Sequence, residues 1–174
     1  MDAKYLPEEV PMGHNTVDFM VTFNHAHEDI AQYTEQHGVP CNPLNHPAIS
    51  SDPPLLVIEG KHAGGNVLEA RYQVALIAAS CVNLWRVWAG DDEDIDHIPV
   101  IPGITVVGHQ WSLFWHHWDG NAIVQTGGAL CGDTSTLLGT WNLYHTLTRL
   151  EQWGQRSCLP KVINLLSAGG APRL

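Results

Sequence analysis

The most informative stretch of this sequence is LLVIEGK at residues 55–61. Four consecutive apolar residues without alternation are typical of a strand that is covered on both faces of its sheet. The apolar run stops at Glu59-Gly60-Lys61, where we expect the strand to end. Residues 59 and 61 of an extended segment point to the same face. The sequence therefore predicts a carboxylate and an ammonium side by side at the end of a buried strand.

A helix is predicted to follow this strand. After Gly64-Gly65 the apolar residues recur at steps of three and four, with Asn66 as the N-cap and an end between residues 85 and 88. Glu69 and Gln73 are four residues apart and therefore share a neighbouring face of the helix. The apolar positions of the helix are expected to be Leu68, Tyr72, Ala75, Leu76, Ala79 and Val82.

The segment before the buried strand predicts a second strand and a short helix. Residues 16–24, TVDFMVTFN, alternate in a way that indicates a half-buried strand with Asp18 on its less apolar face. Residues 25–54 predict a long loop with a helical turn at 29–36. The apolar face of the strand is expected to consist of Val17, Phe19, Val21 and Phe23.

The segment after the helix predicts a β-rich half and a last helix. Strands are expected at 104–110, 111–118 and 122–126, and Asp119-Gly120 indicates a hairpin turn. The last helix is expected to begin at Thr134 or Ser135 and to end at Trp153, with Gly154 as the C-cap. The pattern predicts one α/β domain over residues 1–174, with irregular ends at about 1–13 and 155–174.

The charge balance argues against a general nucleic-acid binder. The chain of 174 residues has 18 acidic and 8 basic side chains, a formal net charge of −10. Lys and Arg must replace the counterions that are condensed on phosphates, and few residues are available here to do so. Part of the acidic excess lies in residues 91–96, which predict a solvated loop.

Cysteine spacing and hydropathy indicate the compartment. The four cysteines stand at 41, 81, 131 and 158 without a C-x-x-C pair, which favours buried free thiols in a reducing environment. No apolar run approaches the roughly 20 residues of a spanning helix, and the first thirty residues lack the pattern of a signal peptide. We therefore expect an intracellular protein, cytoplasmic or nuclear, that does not bind a membrane.

Four polar residues form a constellation around the buried strand. Two carboxylates, Asp18 and Glu59, suit a hard divalent cation such as Mg²⁺ or Mn²⁺. The ammonium of Lys61 can lie beside the water that such an ion polarises and can stabilise a phosphorane-like transition state. Gln73 could orient that water or the lysine from the helix.

At these residues the chain resembles the PD-(D/E)XK nuclease superfamily, and in particular its fungal nuclease-like members. The resemblance extends over most of the chain, and the order of the motifs makes it specific. It rests on VDF at 17–19, NHP at 45–47, VIEGK at 57–61, EARYQ at 69–73, PGITVVGHQW at 102–111, GDTSTLLGTWNLYHTL at 132–147 and RLEQW at 149–153.

The resemblance implies a central mixed sheet flanked by helices. It assigns the metal-binding pair to Asp18 and Glu59, the catalytic lysine to Lys61 and the helix-borne glutamine to Gln73. Two features depart from the family pattern. Gly60 stands where a small polar residue is expected, and the N-terminal segment is short. An acidic residue there sometimes completes the site, so Glu8 and Glu9 are candidates.

Three functions fit these observations. The first is a metal-dependent phosphodiester hydrolase that acts on DNA or RNA. The second is a metal-independent enzyme for a small organic substrate, a cyclase or isomerase of a fungal biosynthetic pathway, which the acidic charge and the abundant Trp and His residues favour. The third is an inactive binding module. A homodimer is compatible with all three functions. Candidate substrate-binding residues are His62, His109 and Trp111.

The eleven histidines raise the alternative of a zinc site. His25 and His27 would face one way at a strand end, and His116-His117 lie between tryptophans. No second pair has the spacing of zinc ligands. Structural or surface histidines are therefore the favoured interpretation.

Overall fold

The computed structural model describes residues 17–38, 40–44, 46–90 and 97–168. Five strands form one mixed sheet with flanking helices, which confirms the predicted fold class. The strands are β1 (Phe19–Thr22), β2 (Pro54–Lys61), β3 (Ile101–Val107), β4 (Gln110–Trp118) and β5 (Ile123–Asp133). The helices are α1 (Glu28–His37), α2 (Val67–Ala89), α3 (Leu137–Trp153) and α4 (Leu159–Ala168).

The strands follow one another across the sheet in chain order. β1 pairs antiparallel with β2, β2 pairs parallel with β3, and β3, β4 and β5 form an antiparallel meander. The predicted turn at Asp119-Gly120 is confirmed, since the Asp119 carboxylate accepts hydrogen bonds from the N–H groups of Asn121 and Ala122. β3 begins and ends three residues earlier than predicted, and β5 extends seven residues further.

α2 covers the sheet face that carries Glu59. The Asn66 side chain accepts hydrogen bonds from the N–H groups of the second and third helical residues, which confirms the predicted N-cap. Helix and sheet approach closely, because a Cβ atom on Gly103 would lie 2.3 Å from Cγ1 of Val74. The prediction that Leu68 and Tyr72 are buried is wrong, because they are 73% and 52% exposed.

The sheet-facing side of α2 begins with Ala70 and continues through Val74 and Ile77, all buried. Half-buried Gln73 lies on the same side. A polar residue of the candidate site thus occupies a helix position near the sheet. For this reason the apolar periodicity of the first two turns predicts the wrong buried side of α2.

Two groups of apolar side chains lie on opposite sides of the sheet. The larger one joins α1, α2 and α4 and includes Ile30, Trp85 and Val162, all fully buried. The smaller one lies under α3 and includes Leu56, Ile104 and Leu150. The helix predicted at 29–36 is confirmed as α1.

The face of β1 differs from the prediction. Phe19 and Val21 were expected on the buried side, but they are 67% and 42% exposed. Met20 packs against the larger core instead. A register shift between Val21 and Thr22 interrupts the pairing with β2, and Phe23 beyond it is buried. A β-bulge of this kind changes the direction of the side chains that follow it, which the period-two pattern cannot predict.

The C-terminal segment is helical where an irregular end was predicted. Gly154 has φ −55° and ψ −48° and does not end the helix. The chain continues through a π-helical turn (Gly154–Cys158) into α4. A Cβ atom on Gly154 would lie 2.8 Å from Cδ1 of Leu55, so this glycine serves close packing. The predictions for residues 1–13, 91–96 and 169–174 lie outside the described residues.

The four cysteines are free in the structure. Cys41, Cys81 and Cys158 are buried and Cys131 is half-buried. Burial raises the pKa of the Cys41 and Cys158 thiols to about 12, so both are protonated and unreactive at neutral pH. Within the described ranges, no helix is long and apolar enough to cross a membrane.

Candidate functional site

The candidate site lies where β1 begins and β2 ends. The antiparallel register places Phe19 opposite Ile58, and one step further along the two strands Asp18 comes next to Glu59. Oδ2 of Asp18 accepts a hydrogen bond from the Gly60 N–H at 2.8 Å. A Cβ atom on residue 60 would lie 3.1 Å from that oxygen. The departure at Gly60 is therefore explained by the close approach of the Asp18 carboxylate.

Glu59 is a buried carboxylate with one bonded and one free oxygen. The residue is 3% exposed. Its Oε1 lies 3.0 Å from Nζ of Lys61. Its Oε2 is buried and has no hydrogen-bond partner among the described residues. A buried carboxylate oxygen without a donor is costly and indicates an ordered water or an ion at that position.

Lys61 lies between two carboxylates. Its Nζ is 3.0 Å from Oε1 of Glu59 and 3.0 Å from Oε1 of Glu69, the exposed glutamate in the first turn of α2. Hydrogen bonds to Glu69 and then to Glu59 raise the pKa of Lys61 above its ordinary value. Lys61 is therefore an ammonium at neutral pH. The two carboxylates hold its Nζ in position from both sides.

Gln73 of α2 and Thr105 of β3 are two further polar groups on the side of the sheet that carries Glu59. Gln73 lies one helical turn after Glu69, and its Oε1 is buried without a hydrogen-bond partner in the described part of the chain. Thr105 of β3 is paired with Glu59 in the sheet and is 3% exposed. Paired residues on neighbouring strands point to the same face, so Thr105 lies beside Glu59 under α2.

The family comparison agrees with this geometry. A family model described as the PD-(D/E)XK nuclease superfamily matches residues 1–159 of the chain. The chain belongs to this superfamily. A search of curated proteins and a search of solved structures found no match to this chain. The matched range includes Asp18, Glu59 and Lys61.

The residues present fit the divalent cation that a PD-(D/E)XK nuclease site implies. Three carboxylates against one ammonium give the group of Asp18, Glu59, Lys61 and Glu69 a formal charge of −2. The free oxygen of Glu59 supplies a hard ligand atom. Among the described residues, no three or more His, Cys, Asp or Glu side chains are grouped so that they could hold a metal ion. Mg²⁺ seldom needs such a group, because it keeps several waters and uses one or two carboxylates.

The other predicted residues are divided between the two sides of the sheet. His62 follows Lys61 and is exposed. His109 lies in the turn after β3, next to Gly108, whose N–H donates to the Lys61 carbonyl. Trp111 packs with the Leu150 cluster on the opposite face, so the structure does not bring it to Glu59 and Lys61. Glu8 and Glu9 lie outside the described residues.

Two of the histidines, His116 and His25, make structural hydrogen bonds. His116 is 1% exposed. Its Nδ1 lies 3.1 Å from the Ile101 carbonyl and its Nε2 lies 2.8 Å from Nε2 of Gln125. Nδ1 therefore donates and Nε2 accepts, which fixes a neutral tautomer. His25 bonds to Asp52 at 2.7 Å.

The sequence interpretation missed the roles of Glu69 and Thr105. Glu69 had a usable signal, because the capping residue Asn66 fixes the start of α2 and places residue 69 in its first turn, beside the end of β2. Thr105 had none, since its position next to Glu59 depends on the parallel register of β2 and β3.

Proposed function

We propose that this protein is a divalent-metal-dependent phosphodiester hydrolase of the nuclease type. The observation that carries the proposal is the state of Glu59, a buried carboxylate that has one oxygen on Lys61 and the other free, next to Asp18 at the strand end. A carboxylate that served only as the partner of Lys61 would leave its second oxygen buried without a donor, which is costly, whereas a bound cation would contact that oxygen.

The residues have distinct roles in this proposal. Asp18 and Glu59 hold Mg²⁺ or Mn²⁺, which supplies Lewis acidity and a water of lowered pKa at the phosphate. Lys61, kept protonated by Glu69 and Glu59, stabilises negative charge on the phosphoryl oxygens and does not act as the base. The Gln73 side chain accepts a hydrogen bond from the attacking water and orients it.

The negative charge of the site favours the binding of a metal ion, and a polyanion can bind only after the metal ion has. A group with a formal charge of −2 repels phosphate, and a divalent ion neutralises it. With only 8 basic residues in the chain, non-specific affinity for nucleic acid is expected to be low and strongly dependent on the metal. DNA and RNA are both compatible with these features. We assign the protein to the fungal nuclease-like group within the superfamily on its ordered motifs.

Exposed apolar side chains next to the site residues favour a second candidate, a metal-independent cyclase or isomerase for a small organic molecule. Leu68 and Tyr72 adjoin Glu69 and Gln73 in α2 and are 73% and 52% exposed. Such side chains suit an apolar substrate. This candidate requires an activity that survives EDTA. An inactive binding module is less compatible with the free oxygen of Glu59.

The test combines metal binding and cleavage. Calorimetry with Mn²⁺ is expected to give one site in the wild type and none in Glu59→Gln, which keeps the shape of the side chain. Cleavage of plasmid DNA and of RNA and DNA oligonucleotides should require Mg²⁺ or Mn²⁺. Lys61→Ala should lower kcat by about 10²–10³-fold, the cost of removing one electrostatic stabiliser.

Glu151→Gln is the matched control for Glu59→Gln, because Glu151 is exposed on α3. It should bind Mn²⁺ and cleave like the wild type. Absence of Mn²⁺ binding in the wild type would sink the metal hydrolase. Turnover of an organic substrate in EDTA, lost in Lys61→Ala, would establish the second candidate instead.

A further inference from the structure

The outward side of α3 is apolar and uncovered. Leu137, Leu138, Trp141 and Tyr144 are 88%, 70%, 58% and 59% exposed; we call these four residues the α3 apolar face. With Thr140 they line a shallow groove of about 760 Å³. The candidate site uses none of these side chains, and an apolar surface of this size needs a separate explanation.

Aromatic contacts order the centre of this face. The Trp141 ring lies 5.9 Å from the ring of Tyr144 and 4.7 Å from that of His145. The three rings restrict one another before any partner binds, which lowers the entropy cost of association. A rigid, exposed tryptophan at the centre of an apolar patch has the character of an interface hot spot.

The charge distribution favours a second copy of the chain as the occupant. Two molecules with a net charge of −10 repel each other over most of their surface. Residues 134–150 contain no acidic side chain, and Arg149 is their one basic residue. The one carboxylate of α3, exposed Glu151, lies ten residues after Trp141, away from the α3 apolar face. The α3 apolar face is therefore a surface through which two copies can approach without like charges in contact.

The edge strand next to α3 argues against strand pairing as the mode of contact. β5 is at the edge of the sheet, but Gly127 and Gly128 have φ of 92° and 96°. The pairing of β5 with β4 shifts register twice in this region. Bulges and positive-φ glycines disturb the row of backbone groups that a further strand would need. A contact with another molecule on this side is therefore expected to be made by α3 and not by β5.

We propose that the protein forms a symmetric dimer in which α3 packs antiparallel against α3 of a second copy, with the two-fold axis at Trp141. In such an isologous contact, positions equally far before and after the axis meet. Leu138 then meets Tyr144 of the second copy, and Leu137 meets His145. Apolar residues thus face aromatic ones across the axis.

The available area is sufficient for a dimer. The α3 apolar face and the neighbouring Leu130, 60% exposed, offer apolar area on the order of 600 Å², near the upper limit that monomers keep. A polar cavity of about 430 Å³ beside it, lined in part by Asp133, His145 and Arg149, supplies a rim. Together they approach the roughly 800 Å² that each subunit buries in a stable interface.

Analytical ultracentrifugation over a wide range of protein concentration tests the proposal. The wild type should sediment as a dimer at micromolar concentration, and Trp141→Asp should weaken the dimer by more than 100-fold, because it places a charge on each side of the axis. Val87→Asp is the matched control. Val87 is an apolar residue of α2, 44% exposed, and its replacement should leave the dimer intact.

Cross-linking tests the axis itself and does not depend on destabilising the interface. Trp141→Cys should form a disulfide-linked dimer under mild oxidation, since residues on a two-fold axis between packed helices come within disulfide reach. Val87→Cys should not. A wild type that stays monomeric at several hundred micromolar overturns the proposal, and so does a dimer that Trp141→Asp leaves unchanged. Neither result depends on catalysis.

Discussion

The helices on the two faces of the sheet are covered to very different degrees. α2 buries 11 of its 23 residues and α3 buries three of its 17. The covered face holds the charged side chains Glu59 and Lys61, while the uncovered face of α3 holds leucines and aromatic rings. The close packing of α2 against the sheet holds the residues of the candidate site in place. The exposed apolar side chains of α3 are instead available for a contact with another molecule.

The covered face also contains a network of polar contacts around buried His116. Arg71 of α2 donates from Nε to Oε1 of Gln125 at 2.6 Å, and its guanidinium lies 5.2 Å from the ring centroid of Phe114. Gln125 in turn bonds to His116, which donates to the Ile101 carbonyl. Polar contacts thus join α2 through Gln125 and His116 to three strands. α3 contacts the sheet through the Thr146 hydroxyl, which donates to the Cys131 carbonyl at 3.3 Å.

The largest expected effect comes from acidification of this network. Desolvation by burial lowers the pKa of His116 from 6.5 to about 4. Between these values the unfolded chain binds a proton that the folded chain does not, so stability falls as the pH decreases from 6.5 toward 4. The loss from this group is about 2–3 kcal/mol at pH 4.5. His116→Gln should remove that part of the decline.

Urea unfolding of both proteins at pH 7.5 and pH 4.5 measures this effect. The difference in unfolding free energy between the two pH values should be smaller in His116→Gln than in the wild type. An identical difference in both proteins would show that His116 is not held neutral and that the covered face is not the acid-sensitive one.

A pair of glycine substitutions separates the two faces more finely. A Cβ atom on Gly103 meets Val74 of α2, and one on Gly132 would lie 2.5 Å from Cβ of Leu143 of α3. Gly103→Ala and Gly132→Ala should each cost about 1–3 kcal/mol of unfolding free energy, because both force packed elements apart. Metal-dependent cleavage should fall about 10–100-fold in Gly103→Ala alone, since α2 carries Glu69 and Gln73.

Thermal unfolding and cleavage rates, measured below the melting temperature of the weaker variant, provide this test. Each variant is the control for the other. Equal loss of cleavage in both would contradict the assignment of the chemistry to the α2 face.

The smallest effect is expected at Glu69. Glu69→Gln removes the strongest of the contacts that raise the pKa of Lys61, but Glu59 still holds the ammonium. Cleavage at pH 7.5 should fall about two- to fivefold, in line with an exposed ion pair below about 1 kcal/mol. The alkaline limit of the pH–rate profile should move to lower pH. A profile that keeps the wild-type limit would show that Glu69 does not support the charge of Lys61.

The parts of the fold that local signals determine were predicted correctly. The apolar run of β2, the Asn66 cap of α2 and the Asp119-Gly120 turn depend on neighbouring residues, and each lies where the sequence placed it. Glu59 and Lys61 also follow from local order, because an extended segment fixes their common face. Asp18 was joined to them by its place on a neighbouring predicted strand, and the family resemblance assigned it the same role.

The parts that depend on distant contacts were missed. The burial of Phe23 on the side opposite to Phe19 and Val21 follows from a bulge against β2, and the right-handed conformation of Gly154 follows from its contact with Leu55. α4 is amphipathic, yet its burial depends on a cleft beside α1 and α2. The neutral state of His116 requires a carbonyl 15 residues away. Sequence spacing gives no access to such pairings.

The hydrogen bond from the Gly60 N–H to Asp18 joins the site to the mobility of the sheet edge. β1 has four residues, lies at the edge and exposes two large apolar side chains. An ion held by both Asp18 and Glu59 would bind only the state in which β1 is docked, so it would slow local opening of that strand. Hydrogen exchange at Phe23, whose N–H directly after β1 donates to the Pro53 carbonyl, would then report metal occupancy without any substrate, because this bond forms only when the strand is docked.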